Sequence, residues 1–397
     1  MAVKRSIIAW NKRSLLPFLM ATLLAVSTGC LDVQNVKHEV SPREVVLNDA
    51  WEFQKSGDTS WMPAHVPGDV MLDLMRLGRL NDPYQGTNER TAQWVENEDW
   101  LYRCVFNLLQ SKDSSTAPTQ ELVLQGIDTY AEIRLNGTLL LETENMHRTY
   151  VLPIPEAIQS PCTLQITLKS AVKSGLDIMA YQPRLIPTSN ENRPLDERTS
   201  SVTRKAKYQF GWDWGPRLTS CAIWRPVILR EKSILQSHDI LLTPMSIDEN
   251  EAIYEINAPS SIHDGQLSLS GPRNESVRWH TTPWESGRCQ LHISSPELWW
   301  PRGMGNQPLY ALNWSGIDHS IRVRFGIREI QWNRTPDDWG TSFQCEVNGQ
   351  PFFAKGANII PPDYFPARSL NLEDELIASA TQANMNMLRI WGGGVYP

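Results

Sequence analysis

Cys162-Thr-Leu-Gln-Ile-Thr-Leu-Lys169 alternates apolar and polar residues without a break. A strict period of two marks a half-buried strand, because successive side chains leave the pleated backbone on opposite faces. Upstream, Ala131, Ile133 and Leu135 alternate with Glu132 and Arg134, and the run then meets Asn136-Gly137. That dipeptide tolerates the two positive φ angles of a type I′ turn, so a hairpin is predicted there. Short runs of this kind recur through residues 32–230 between clusters of Pro, Gly and Asn. They read as a sandwich of jelly-roll type. One helical patch interrupts at 69–77, where Val70, Leu74 and Leu77 share a face.

A second all-β stretch follows to about residue 332, with alternation in Gln266-Leu-Ser-Leu-Ser270 and Ile321-Arg-Val-Arg-Phe325. Its length suits a small immunoglobulin-like sandwich, although no Cys…Trp…Cys signature marks a true immunoglobulin domain. After Trp339 the pattern changes. Phe343, Cys345 and Val347 alternate into Asn348-Gly349, a second hairpin signal, and residues 351–356 read as a buried strand. Asn371, with Asp374 three residues on, is placed to cap a helix whose apolar stripe is Leu372, Leu376, Ile377, Ala380 and Ala383. Met387-Leu-Arg-Ile-Trp391 is a short apolar strand ending in Gly392-Gly-Gly394. Strand, helix and strand make one βαβ unit, which cannot cover both faces of a parallel sheet. The segment is therefore expected to be loosely ordered by itself.

Composition narrows the function. Lys and Arg number 37 against 44 Asp and Glu, giving a net charge of −7 with no basic block. That balance argues against nucleic acid as a partner. Tryptophan outnumbers phenylalanine 16 to 9. An indole offers a broad flat face with a polar handle, as sugar sites use, although core packing accounts for most such residues. No C-x-x-C pair and no H-E-x-x-H occurs, so neither a metal site nor a cofactor is expected. The five cysteines after residue 30 are widely spaced and read as buried free thiols.

The first thirty residues read as an address. Lys4, Arg5, Lys12 and Arg13 precede an apolar run at 15–26. It is too short for a hydrocarbon core that needs about 20 residues, but it fits the hydrophobic region of a secretory signal. The run closes on Ser27-Thr-Gly-Cys30, which resembles a bacterial lipobox, with Ser27 where such boxes usually carry Leu. Lipidation at Cys30 and a place in the bacterial cell envelope are expected, with the membrane reached only through that anchor. Ordinary signal cleavage and secretion is the alternative.

Four stretches taken in order resemble the N-terminal half of glycoside hydrolase family 2 β-mannosidases. They are Val66-Pro-Gly-Asp-Val70 with Trp100-Leu-Tyr-Arg103; Leu124-Gln-Gly-Ile-Asp-Thr-Tyr-Ala-Glu132 through Asn136-Gly137 and Asn145-Met-His-Arg148; Phe210-Gly-Trp-Asp-Trp-Gly-Pro-Arg217 with Ile223-Trp-Arg-Pro226; and Leu298-Trp-Trp-Pro301 with Gln307-Pro-Leu-Tyr310, Lys355-Gly-Ala-Asn358 and Leu388-Arg-Ile-Trp-Gly-Gly-Gly394. Any one is weak; the ordered set is specific. The resemblance implies a mainly β chain: a signal over 1–30, a jelly-roll, galactose-binding-like domain over 31–230 and an immunoglobulin-like sandwich over 231–335. Residues 336–397 would be the truncated start of a (β/α)8 barrel.

It also implies the chemistry. Asp213 would accept hydrogen bonds from sugar hydroxyls, a task suited to an acceptor-only carboxylate. Trp212 and Trp214 would wall the pocket and Trp391 would be the sugar platform. Arg389 would support the nucleophile carboxylate, and Asn358 ends the first barrel strand. The residues by themselves leave open that the three tryptophans are packing and that Asp213 pairs with Arg217. A retaining glycosidase needs two carboxylates about 5–5.5 Å apart, and the family places both on later barrel strands. The resemblance thus implies a truncated β-mannosidase acting on β-mannosides or manno-oligosaccharides, with this chain inactive alone. The alternatives are a non-catalytic carbohydrate-binding surface lipoprotein, or another family 2 activity: β-galactosidase, glucuronidase or glucosaminidase.

Overall fold

The structure, a computed structural model, describes residues 43–110, 119–184, 186–188, 191–232, 239–262, 265–316, 320–369 and 372–394. The expected leader with Cys30, and the expected cap Asn371, lie outside them. Among the described residues no helix is long and apolar enough to cross a membrane.

Cys162–Leu168 is a strand in which Cys162, Leu164, Ile166 and Leu168 are buried and the residues between them half-buried. It sits inside a six-stranded sheet, antiparallel to Trp100–Phe106 on one side and Tyr130–Leu135 on the other. Tyr130–Leu135 turns directly into Thr138–Glu144. The two turn residues take the expected positive angles, 48° at Asn136 and 84° at Gly137. A four-stranded sheet faces this one, in the order Glu44–Val46, Val227–Glu231, Gln120–Leu124, Tyr150–Pro153. Phe53, Trp100, Tyr102, Leu122, Leu124, Ile133, Ile166 and Leu229 from the two sheets fill one core. The helical patch is the short helix Val70–Arg76, whose first turn is capped by Asp69 accepting from the Met71 N–H at 2.7 Å.

Three of the quoted motifs converge on a small third sheet. Ala222–Ile223 lies between Gly68–Asp69 and Ile127–Asp128. Gly126 has no side chain because none fits: a Cβ there would stand 2.8 Å from the Arg225 backbone nitrogen. Beneath the sheet Lys205 and Asp128 form an ion pair that solvent does not reach, and Lys205 also donates to the Ser220 carbonyl at 2.8 Å.

A second sandwich follows, with four strands in the order Leu241–Ile247, Glu251–Asn257, Arg288–Ser294, Trp279–Thr281 and three in the order Gln266–Ser270, Tyr310–Ser315, Ser320–Phe325. Its own core includes Tyr254, Ile256, Leu291, Ile293, Leu312 and Trp314. Seven strands in two sheets is the immunoglobulin-like count. Ile330–Asn333 pairs instead with Gln344–Val347, which turns through Asn348-Gly349 into Gln350–Phe352. The buried strand expected at 351–356 is not formed. The chain leaves that hairpin at Phe353, which is 82% exposed, and a separate strand begins at Gly356.

Gly356–Ile359 and Met387–Ile390 run parallel, joined through the helix Glu373–Gln382. The helix starts after Leu372 without a side-chain cap, and its stripe finds no cover: Leu376 is 39% and Ile377 49% exposed. The linking turn is held differently. Tyr364 and Phe365 are buried within the core of the first domain. The five cysteines after residue 30 are all free and buried, and burial raises their thiols above the usual range.

Candidate functional site

Phe210–Trp212 and Gly215–Arg217 form a hairpin with Phe210 opposite Arg217 and Trp212 opposite Gly215. Asp213 and Trp214 are its tip. The base is fixed by charge. The Arg217 side chain, 2% exposed, donates from Nε to Glu96 Oε2 at 3.0 Å. From Nη1 it reaches Glu191 Oε1 at 3.1 Å and the Phe210 carbonyl at 3.0 Å. Its backbone N–H donates to Glu89 at 2.7 Å, and its carbonyl accepts from Gln93 at 2.7 Å. Arg193 adds a second cation on Glu96 at 2.8 Å. The ends of the hairpin are therefore bolted to residues far apart in sequence by charge, which does not reach its tip.

Arg217 is thus committed to Glu96 and Glu191, so the pairing of Asp213 with Arg217 that the sequence left open is not formed. Asp213 is exposed, and among the described residues nothing bonds its carboxylate. It flanks an aromatic cluster. Trp391 meets Trp212 edge to face with centroids 5.1 Å apart, and meets Trp214 likewise at 5.8 Å. Offset or edge-to-face geometry is the favourable one for such pairs. Trp214, 40% exposed, also packs on Tyr208 at 5.7 Å and Tyr364 at 6.1 Å. The three tryptophans do pack on one another, but Trp214 keeps a face open to solvent.

Asn358 and Arg389 are direct partners across the parallel strands, and Arg389 Nη1 donates to Asn358 Oδ1 at 3.0 Å. Both are exposed. Trp391 follows on the same strand, its N–H donating to the Ile359 carbonyl at 2.9 Å. The six candidate residues thus fall into two groups, the 212–214 tip and the Asn358–Arg389 pair, joined through Trp391. On the opposite strand face Ile359 and Ile390 line an apolar cavity of about 170 Å³ with Leu376, Ile377, Tyr208 and Trp224. Its lining is mostly aliphatic and proline, with Tyr208, Ser369 and Glu373 as its polar members. Among the described residues no group of three or more His, Cys, Asp or Glu is placed to hold a metal.

Sequence reasoning missed Tyr364, Tyr208 and the acids Glu89, Glu96 and Glu191. Single glutamates and tyrosines in helices of three to five residues or in loops carry no periodic signal, and only the buried Arg217 reveals what the acids do. The one available hint was Gly215, where a Cβ would stand 2.8 Å from Cε2 of the Tyr364 ring.

Residues 51–225 match the family described as glycosyl hydrolase 2 galactose-binding domain-like. This part of the chain is a galactose-binding-like domain of glycosyl hydrolase family 2. Among sequence relatives, β-mannosidase B of Neosartorya fischeri is 31% identical over 371 residues, and that of Emericella nidulans 32% over 380. Each alignment covers 88% of this chain and 43% of the relative. The chain thus spans less than half the length of the curated relatives it matches. The crystal structure of a β-D-mannosidase from Dictyoglomus thermophilum superposes with a TM-score of 0.76 at 34% identity, covering 89% of this chain and 45% of that one. An exo-chitosanase from Amycolatopsis orientalis shares the fold at a TM-score of 0.60 and 17% identity.

Proposed function

We propose that this chain is the N-terminal part of a retaining β-mannosidase that removes terminal, non-reducing β-D-mannosyl residues. In this reading Asp213 accepts from sugar hydroxyls, Trp212 and Trp214 wall the pocket, Trp391 is the sugar platform, Arg389 supports the nucleophile carboxylate, and Asn358 is a further substrate-binding residue. Residues 336–397 would open a (β/α)8 barrel. The observation that carries it is the placement of an unpaired, exposed carboxylate at the tip of a hairpin whose tryptophans meet Trp391. A pyranose needs both an acceptor for its hydroxyls and an aromatic face for its C–H groups.

The same proposal holds that the 397 residues alone hydrolyse nothing. Double displacement takes two carboxylates, and the acids that hold the hairpin and the Tyr364 turn are engaged in ion pairs. Glu96 and Glu191 hold Arg217, and Asp363 holds Arg368 at 2.8 Å. Calorimetric titration of the chain with β-1,4-mannobiose, and with β-galactoside, β-glucuronide and chitobiose, tests the site. Mannobiose is expected to bind tightest, and Asp213→Ala to weaken it about tenfold or more through loss of charge-assisted bonds. Tighter galactoside or glucuronide binding would replace the substrate, and release of nitrophenol from a β-mannoside would overturn the inactivity.

We also propose that the protein is held on the bacterial envelope through a lipid on Cys30. Palmitate labelling in a bacterial host is expected to mark the wild type and not Cys30→Ser. Equal labelling of the two, or label on neither, removes the anchor.

A further inference from the structure

Tyr364 belongs to the turn after the first parallel strand, yet its side chain packs on the hairpin of the first domain and on Tyr208 just before it. Its hydroxyl lies in hydrogen-bond contact with two backbone carbonyls, Tyr208 just before the hairpin and Pro216 on its return strand. Its ring packs edge to face on Tyr208 at 5.2 Å and on Trp214 at 6.1 Å, and rests against the backbone of Gly215. The side chain is almost wholly buried, and burial raises its phenol well above the ordinary range, so it stays a neutral donor.

The turn that presents Tyr364 is itself stiff. Asp363 accepts from the Phe365 N–H at 2.8 Å and pairs with Arg368, while its carbonyl accepts from Ser369 at 3.2 Å. Phe365 is buried beside it, against Tyr84. Arg217 locks the ends of the hairpin but touches neither Asp213 nor Trp214 among the described residues. Between that bolted base and the tip, Tyr364 fills the gap under Trp214 and shares its one hydroxyl proton between the carbonyls of Tyr208 and Pro216.

We propose that Tyr364 is the positioning residue of the 212–215 tip, setting how Asp213 and Trp214 face Trp391. It acts through the tip and touches no sugar. The sugar arm of the test rests on the mannosidase reading; the footprinting arm does not.

Hydroxyl-radical footprinting of the full chain, read by mass spectrometry, reports Trp212, Trp214 and Trp391 separately. Tyr364→Phe keeps the ring and loses the bonds to the two carbonyls. Tyr364→Ala also opens the space under Trp214. Gly215→Ala pushes the ring away by adding a methyl within van der Waals range. Oxidation of Trp214 is expected to rise in the order wild type, Phe, Ala, with Trp314 in the second sandwich unchanged as an internal reference. In parallel, mannobiose affinity is expected to fall about tenfold in Tyr364→Phe because the tip that would hold the sugar is misplaced, with a melting temperature lowered by no more than several degrees for the carbonyls left without a donor. Tip oxidation equal to wild type in Tyr364→Phe and Tyr364→Ala would overturn the positioning role. If the wild type binds no mannobiose while Trp214 responds as expected, the sugar reading fails and the positioning of the tip stands. Should any variant not fold, oxidation of Trp100, buried in the core of the first domain, rises with the rest, and the remaining two variants decide.

Discussion

Replacing Arg217 by methionine is expected to lower the stability of the first domain by about 3–5 kcal/mol, the loss seen when one partner of a buried ion pair is removed. The side chain is 2% exposed, as is Glu96, and Glu191 is 1% exposed, so water cannot replace the guanidinium. Two carboxylates would be left facing each other, with Arg193 reaching only Glu96. The Phe210 carbonyl would lose a donor as well. Lysine should rescue part of the loss, because it restores the charge but cannot span two carboxylates and a carbonyl with one planar fork. Urea unfolding of wild type, Arg217→Met and Arg217→Lys decides the matter. A methionine variant within about 1 kcal/mol of wild type, the ordinary range of surface changes, would mean that the cluster does not hold the hairpin.

How much of this was legible in the sequence depends on which force shapes each part. Period-two alternation in Cys162–Leu168 and Tyr130–Leu135 announces strands with one wet face, and the Asn-Gly turns at 136–137 and 348–349 take the backbone angles their chemistry favours. Gln120–Leu124 shows the opposite case. All five of its residues are buried, including Gln120 and Glu121, because it lies between two strands and under a sheet. Alternation cannot report a strand with no wet face. Its polar residues are satisfied by distant partners, Leu109 for Gln120 and Arg230 for Glu121. The expected strand at 351–356 fails for a related reason. A short apolar run fits buried and exposed positions alike, and Phe353 faces solvent.

The candidate site divides along the same line. Trp212, Asp213 and Trp214 stand in one contiguous motif, and Asn358, Arg389 and Trp391 stand at strand ends, so a resemblance in sequence finds them. What orients them does not lie in those motifs. Arg217 is held by acids 26 to 128 residues away along the chain, and Tyr364 reaches Tyr208 across 156 residues. Such contacts exist only once the fold has closed. Several residues of the motifs that carry the resemblance have structural roles: Asp69 caps a helix, Asp128 pairs with Lys205, and Met146 lies in the core with its sulfur accepting from the Ala206 N–H at 3.0 Å. A family pattern marks what must be kept, and here fold and chemistry share the marks.

Asp69 gives the sharpest consequence of that structural role, a loss of stability between pH 5 and pH 8 that asparagine should abolish. Its carboxyl is fully buried, and burial pushes it from 3.8 up to about 7, against the opposing bonds from Ser220 and the Met71 N–H. Asp128 raises it further while Lys205 lowers it. Oδ1 accepts both bonds at 2.7 Å, whereas Oδ2 is buried with no partner among the described residues. Through the window between the two values the folded chain holds a proton that the unfolded chain has released. Stability therefore falls as pH rises, and is fully present only below the unfolded value. A change from 3.8 to about 7 corresponds to about 4 kcal/mol at most. Asp73 is shifted in the same direction by its burial, while His147 is lowered by burial and gains stability as pH rises. The wild-type profile alone mixes these. The difference between wild type and Asp69→Asn isolates Asp69, because asparagine keeps the acceptor for Met71 and Ser220 but cannot ionise. Urea unfolding at pH 5 and pH 8 is expected to show the two proteins close together at the lower pH and the asparagine variant the more stable at the higher. Parallel profiles would show that Asp69 takes up no proton on folding anywhere between pH 5 and pH 8, and would overturn the prediction.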